Sequence, residues 1–155
     1  MPHLRPGIVA LLMVLAAGAA VGAGDGAEAD YIGGTVADLR PGTSGRALTT
    51  DPGAFVFTAK GITIKVPYDR INLIEYGQKV DRRLAEAILI SPLMILSKKR
   101  RHYLTVGFEN EAGQQQAMLF RVGKDGIRAM LVSLEARTGR KVTYQDEEAR
   151  KAGKG

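Results

Sequence analysis

Short runs of alternating apolar and polar residues, separated by Gly and Pro, constrain this chain more than any other feature of its sequence. Residues 62–66 (ITIKV) alternate, and residues 102–108 (HYLTVGF) do so in the same way. Strict alternation predicts a strand that is buried on one face. After a turn at Gly113, residues 115–122 are predicted to return as the partner of the second run.

Further runs rich in β-branched and aromatic residues lie between turn signals, among them 54–58 (AFVFT). The other predicted strands in the first half of the chain are 34–39, 45–49 and 68–76. Counted with the alternating runs, they give about seven short strands with turn-length connections. That pattern is typical of an antiparallel barrel or sandwich, so the predicted fold class is mainly β, followed by a helix.

The period changes after residue 124, where apolar residues recur at intervals of three and four. These residues form one stripe of an amphipathic helix, and they are Ile127, Met130, Leu131 and Leu134. Asp125 is placed to cap the start of this helix, and Gly139 stands where it would end. Val142 and Tyr144 fit a short extended piece. Residues 145–155 are charged and poor in apolar side chains, which predicts a flexible tail.

The first 23 residues have the three parts of a secretory signal peptide. Arg5 precedes an uninterrupted apolar run, and small residues follow it. The residues that could precede the cleavage site are Ala19, Ala23 and Ala29, of which we favour Ala23. The alternative is an uncleaved anchor, but the 16 residues from 8 to 23 span only about 24 Å as a helix, against a hydrocarbon core of about 30 Å. We expect removal of 1–23, an acidic linker at 24–30, and export to the periplasm or the medium.

The chain has no cysteine, which excludes disulfides, a cysteine nucleophile, a thiolate metal site and a lipidated N-terminal cysteine. Once the signal peptide is removed, His102 is the one histidine left. No serine lies in the context of a nucleophile elbow. A single histidine without a dense Asp or Asn loop also argues against a metal site. We therefore predict no metal, no cofactor and no enzymatic activity.

The net charge of +6 is concentrated in one part of the sequence. Residues 79–102 hold seven cations and two acids, a net charge of +5, whereas the rest of the predicted exported chain is neutral. The cations form two clusters, one on each side of an apolar segment. The residues predicted to bind an anionic surface are therefore Lys79, Arg82, Arg83, Lys98, Lys99, Arg100 and Arg101.

The apolar segment, residues 84–96 (LAEAILISPLMIL), interrupts the strand pattern, and 80–101 is predicted to be a helical insertion into the domain. As a helix its 13 residues span about 20 Å, too short to cross a bilayer. The Ser91-Pro92 pair favours two short helices joined at that point. In water, its large side chains would form a patch larger than monomers usually expose. These side chains are Leu84, Ile88, Leu89, Ile90, Leu93, Met94, Ile95 and Leu96.

Three interpretations of the insertion stay open. The segment can fold across the protein's own sheet, or it can contact a second copy or another protein. It can also enter a membrane interface, because each basic residue near an anionic surface contributes about 1 kcal/mol and each buried Leu or Ile about 1.5–3 kcal/mol. Nucleic acid is less favoured as a partner, because base stacking needs aromatic residues among the cations and only Tyr76 and Tyr103 flank them.

The stretch 66–76 (VPYDRINLIEY) resembles a strand-turn-strand step that is common in bacterial pleckstrin-homology-like and GRAM-like domains. The order of elements, several strands and then one C-terminal amphipathic helix, is similar to that superfamily as well. The stretches 75–80, 97–103 and 134–139 also resemble small signal-bearing bacterial proteins of unassigned function. The resemblance covers 31–144 and implies a small antiparallel barrel of about seven strands, capped by the helix.

The resemblance also implies a binding module, since this superfamily binds lipids or peptides more often than it catalyses. Phosphoinositide-binding members carry cations in the loop between the first two strands, where this chain offers only Arg40 and Arg46. We therefore expect an exported, non-catalytic module that associates with a membrane surface or a protein partner through the basic-flanked insertion. The alternative is a soluble protein-binding adaptor whose insertion is buried in its own core or in a homo-oligomer interface.

The predicted signal peptide can be tested directly. Because residues 1–23 have the charge and apolar pattern of a cleaved signal, the exported protein should begin at Gly24. Intact-mass spectrometry of the protein recovered from the cell envelope measures this. A mass that retains the first 23 residues would contradict cleavage and favour the uncleaved anchor.

Overall fold

The computed structural model describes residues 26–80, 82–87 and 100–154. Its eight strands are β1 (Ala27–Gly34), β2 (Thr43–Leu48), β3 (Ala54–Ala59), β4 (Ile62–Pro67), β5 (Ile71–Gly77), β6 (His102–Glu109), β7 (Gln115–Val122) and β8 (Thr143–Tyr144). The described helices are α1 (Arg82–Ala87), α2 (Lys124–Thr138) and α3 (Glu147–Lys154), and a 3-10 turn covers Tyr68–Arg70. The predicted signal peptide, residues 88–96 of the insertion, Lys98 and Lys99 lie outside the described residues.

All eight strands belong to one sheet, in the order β4-β3-β2-β1-β7-β6-β5-β8. Neighbouring strands are antiparallel, except that β5 and β8 pair in parallel. Two meanders, β1 to β4 and β5 to β7, therefore meet where β1 pairs with β7. Strands β4 and β8 are the edges, and no ladder joins them within the described residues. The prediction of a mainly β fold with a C-terminal helix is confirmed, and the extended piece predicted at Val142 and Tyr144 corresponds to the short strand β8.

Aromatic side chains form the centre of the core. The ring of Phe120 in β7 lies 5.8 Å from that of Tyr31, 5.8 Å from that of Phe55 and 4.9 Å from that of Phe57, measured between centroids. All four side chains are fully buried. Such tilted and edge-to-face pairs contribute beyond the area they bury. Because three of the rings come from the first meander and Phe120 from the second, the cluster holds the two meanders together.

Helix α2 covers this core with the apolar stripe predicted from its sequence. Its buried side chains are Ile127, Met130, Leu131 and Leu134. The helix ends at Gly139, where a φ of 68° allows the N–H to bond to the Glu135 carbonyl. The prediction that Asp125 caps the start is wrong. Gly123 occupies the N-cap position, and Asp125 lies within the first turn, where its charge interacts favourably with the helix dipole.

The first strand begins earlier than predicted. Residues 27–30, predicted as part of a linker, form the first half of β1, and residues 35–39, predicted as strand, lie in the loop to β2. In β1, Ala29 and Tyr31 are buried, while Asp30 between them faces outward and bonds to side chains of the neighbouring strands. From the sequence alone, an acidic residue such as Asp30 suggests a linker, because the strands that pair with it are not known.

The C-terminal segment is a helix rather than a flexible tail. In α3, Ala149 is fully buried, and a Cβ built on Gly153 would lie 2.6 Å from the ring of Tyr144. Small residues four positions apart thus let the helix approach the sheet closely. The Asp146 carboxylate accepts a hydrogen bond from the Ala149 amide at 2.6 Å, which caps the helix. The prediction fails here because large apolar residues are absent from the contact face.

The start of the insertion packs on the outer face of the sheet, opposite the main core. Ala85 of α1 is buried there and Leu84 is partly buried. They join a second apolar cluster, whose other buried members are Ile32, Val80, Tyr103 and Leu119. No helix among the described residues is long and apolar enough to cross a membrane.

The position of α2 on the core gives a matched test of the fold. Leu134 is fully buried, whereas Val132 on the same helix is 67% exposed. Leu134→Ala should lower the free energy of unfolding by about 2–5 kcal/mol, because it removes buried methyl groups and leaves a cavity. Val132→Ala should change it by less than about 0.5 kcal/mol. Denaturant unfolding measures both, and equal losses would contradict this placement of the helix.

Candidate functional site

A cleft of about 680 Å³ opens beside the start of α2, on the outer face of β1, β2 and β7. Its acids are Glu28 and Asp30, and His102 at the start of β6 also lines it. Five cations from separate parts of the chain surround these residues: Arg46, Arg100, Arg101, Arg121 and Lys124. The cleft is therefore predominantly positive.

Strand register explains why several of these side chains meet. Asp30 of β1 lies opposite Ser44 of β2 and opposite Arg121 of β7. The Ser44 hydroxyl donates to Oδ1 of Asp30 at 2.6 Å, and Arg121 donates to Oδ2 from Nε at 3.1 Å and from Nη2 at 2.7 Å. Burial alone would raise the pKa of Asp30, but these hydrogen bonds and the charge of Arg121 lower it below its usual value. Asp30 is therefore ionised at neutral pH and holds Arg121 in place.

The positive charges of the other four cations of the cleft are neutralised less fully by acidic partners. Arg46 donates to the backbone carbonyl of the residue before β1, which orients its guanidinium without neutralising the charge. Nη2 of Arg100 lies 2.9 Å from Oε2 of Glu148 in α3, an exposed pair of the kind that contributes little to stability. The side chains of Arg101 and Lys124 form no hydrogen bond or ion pair with the described residues. Within the described part of the chain, these two positive charges therefore have no acidic partner.

His102 is held by the core rather than by a charged partner. Its Nδ1 lies 2.7 Å from the Tyr76 hydroxyl, and the two rings stack with centroids 6.0 Å apart. Burial raises the pKa of Tyr76, and this hydroxyl has no other partner among the described residues, so we assign it as the donor to Nδ1. Burial and the charges of Lys124 and Arg128 lower the pKa of His102. The histidine is therefore neutral near pH 7, with its proton on Nε2.

The structure brings only part of the predicted binding set to this cleft. Arg100 and Arg101 line it. Lys79, Arg82 and Arg83 are exposed but are not among the lining residues. Lys98 and Lys99 lie outside the described residues, so the binding of an anionic surface by the seven predicted cations stays a prediction.

Sequence reasoning misses three of the lining cations: Arg46, Arg121 and Lys124. Each is isolated in the sequence, so no local cluster marks it. The outward position of Arg121 follows from the alternation of β7, where it lies between the buried residues Phe120 and Val122. The signal that was missing is the strand order, which sets β2 and β7 on the two sides of β1.

The donors of the cleft suit an anion rather than a metal. Among the residues that the structure describes, no group of three or more His, Asp or Glu side chains could hold a metal ion. Guanidinium and ammonium groups, in contrast, form strong charge-assisted hydrogen bonds with carboxylate and phosphate oxygens. The arrangement can therefore bind and orient a negatively charged group.

The lowered pKa of His102 predicts a pH-dependent stability. The unfolded chain takes up a proton on this histidine near pH 6.5, whereas the folded protein does so only at lower pH. The free energy of unfolding should therefore be highest above pH 6.5 and fall as the pH drops below it. His102→Gln keeps an acceptor for Tyr76 and should remove this part of the fall.

Denaturant titrations on either side of pH 6.5 measure the effect, and NMR titration of the imidazole gives the pKa itself. An imidazole that titrates at or above 6.5 in the folded protein would contradict the burial of a neutral histidine at this position.

The chain matches no known protein-family model and no curated protein.

Proposed function

We propose that this protein is an exported, non-catalytic binding module that associates with an anionic membrane surface through the cations of the cleft and of the insertion flanks. The observation that carries the proposal is the meeting of five cations and two acids in one cleft. One of these acids, Asp30, is already bonded to Arg121. The remaining charge favours a negatively charged partner.

A pleckstrin-homology-like barrel is the scaffold we propose. Strands β3 and β7 are three steps apart in the sheet, which corresponds to about 14 Å in a flat sheet with neighbouring strands about 4.8 Å apart. The rings of Phe55 in β3 and Phe120 in β7 nevertheless lie 5.8 Å apart. Such a contact requires a strongly curved sheet. Strong curvature, the two meanders joined through β1 and β7, and the position of α2 over the core support a barrel of this kind.

Two cations that have no acidic partner among the described residues set the expected strength of membrane binding. Arg101 and Lys124 are exposed. Each basic residue near an anionic lipid surface contributes about 1 kcal/mol, so the two together contribute about 2 kcal/mol. Binding of this size is reversible, and it weakens with salt because the charges are exposed.

The hydrogen bonds of the polar side chains in the cleft also support a binding role rather than a catalytic one. Ser44, Asp30 and His102 all line it. In a catalytic Ser-His-Asp triad the histidine lies between the other two residues. Here the Ser44 hydroxyl donates directly to Asp30, and Nδ1 of His102 bonds to Tyr76. The Ser44–Asp30 pair and the His102–Tyr76 pair are separate, so the hydrogen bonds do not have the arrangement that a triad requires.

A soluble protein-binding adaptor is the second candidate function. The observation in its favour is the packing of Ala85 and Leu84 with Ile32 and Leu119 on the outer face of the sheet. The described start of the insertion thus contributes to the protein's own apolar packing. In this case the partner would be a protein rather than a membrane, and the cations of the cleft would remain solvated.

Vesicle co-sedimentation separates the two candidates. We expect the protein to sediment at low salt with vesicles of phosphatidylcholine and phosphatidylglycerol, and not with phosphatidylcholine alone. Arg101→Glu changes the local charge by two units and should weaken the binding about thirtyfold. Arg140→Glu is the matched control, because Arg140 is exposed and follows the far end of α2, whose 15 residues span about 22 Å.

The control should bind like the wild type. Absence of binding to the anionic vesicles would overturn the membrane proposal in favour of the adaptor. Equal losses in the two variants would show that net charge alone, and not the cleft, is responsible.

A further inference from the structure

The cleft has the charge and the donors to bind one anionic group, which is more specific than a general attraction to an anionic lipid surface. We propose that it binds a phosphomonoester group, with Arg121, Arg101 and Lys124 as charged donors and His102 as a further donor. This inference rests on the proposed function in that both use the same positive surface. The inference goes further than the proposed function because it names a chemical group, the phosphomonoester, that a soluble molecule can carry as well as a lipid.

The charge of the cleft matches a dianion. Its five cations face the carboxylates of Glu28 and Asp30, and Glu148 pairs with one of the cations from outside the lining. Among the described residues, two positive charges remain. A phosphomonoester carries about −1.5 to −2 at pH 7, whereas the phosphodiester of an ordinary membrane lipid carries a single negative charge. The balance therefore favours the monoester.

Two of the guanidinium groups are oriented before any ligand binds. Arg121 uses Nε and Nη2 on Asp30, and an arginine has five N–H donors, so others remain for a ligand. Arg46 is oriented by a backbone carbonyl. Donors that are already in place lose less conformational entropy when they bind an anion. Arg101 and Lys124 contribute charge without such restraint.

His102 contributes a directed donor. Because the Tyr76 hydroxyl occupies Nδ1, the proton of the neutral imidazole lies on Nε2. His102 is one of the residues that line the cleft, and Nε2 carries the only N–H of its neutral ring. The aromatic stacking on Tyr76 restricts the orientation of the ring. A phosphate oxygen accepts this hydrogen bond without requiring another positive charge in the cleft.

The size and place of the cleft restrict the ligand further. A volume of about 680 Å³ is far larger than a phosphate ion needs, so it leaves room for the esterified group, such as a glycerol or a sugar. The lining follows β1 from Glu28 to Asp30 and β2 from Ser44 to Arg46, so the cleft lies along the ladder between these two strands.

Phosphate titration of the full chain, followed by NMR, tests the proposal. Inorganic phosphate should shift the His102 imidazole and the amides of Arg101 and Lys124 in a saturable way, whereas chloride at equal ionic strength should not. Arg101→Gln and Lys124→Gln should each weaken phosphate binding about tenfold, because a charged hydrogen-bond donor is lost. Arg140→Gln should leave it unchanged. Both target side chains are exposed, so these variants should keep the wild-type unfolding transition.

Two comparisons define the ligand. Glycerol 3-phosphate, a monoester, should bind at least about tenfold tighter than the diester glycerophosphocholine, because it carries the second charge. Vesicles that contain phosphatidic acid then present the monoester as a lipid headgroup. Tighter binding to them than to phosphatidylglycerol vesicles assigns the ligand to a membrane, and equal binding assigns it to a soluble phosphomonoester.

The absence of a saturable shift with phosphate would overturn the site, as would equal affinity for the monoester and the diester. If phosphate fails while vesicles of phosphatidylglycerol still bind, the membrane function stands and only the specific site is wrong. If both fail, the proposed function and the site fail together.

Discussion

The double pairing of β1 is the constraint on which the rest of the structure depends. This strand hydrogen bonds to β2 on one side and to β7 on the other, and it thereby joins the two meanders. Its inward residue Tyr31 contacts Phe120 in the core, while its outward neighbour Asp30 bonds to Ser44 and Arg121 in the cleft. Because the side chains of a strand alternate, one ladder sets both the core and the site. A shift of one residue in this register would exchange the two faces and disrupt both.

Periodicity within a segment is a local property, and the elements that depend on it alone can be predicted from the sequence. The strands β3, β4, β6 and β7 and the buried stripe of α2 agree with the structure for this reason. The start of β1 and the helix α3 cannot be predicted in this way. Asp30 fits a strand only because Ser44 and Arg121 lie opposite it, and Gly153 fits a contact face only because the ring of Tyr144 lies against it.

The same distinction separates the predictable and unpredictable parts of the cleft. Arg100 and Arg101 belong to a dense run of cations, which marks them in the sequence. The remaining cations are single residues in β2, β7 and α2, and only the strand order brings them together. The distribution of charge along the sequence therefore identifies only the part of the site that Arg100 and Arg101 form. It cannot locate a site whose charges are collected from the whole fold, because pairing between distant strands is not encoded in any local pattern.

Packing of the fold does not require so many cations at this place. Like charges that converge on one cleft repel one another and lower the stability of the compact state. The structure offsets only part of this repulsion, through Asp30 on Arg121 and Glu148 on Arg100. His102 remains neutral because burial and the nearby cations lower its pKa, which avoids a further positive charge while keeping an N–H donor. Among the described residues, the cleft therefore retains positive charge that no ion pair neutralises, and the proposed binding of an anion rests on that charge.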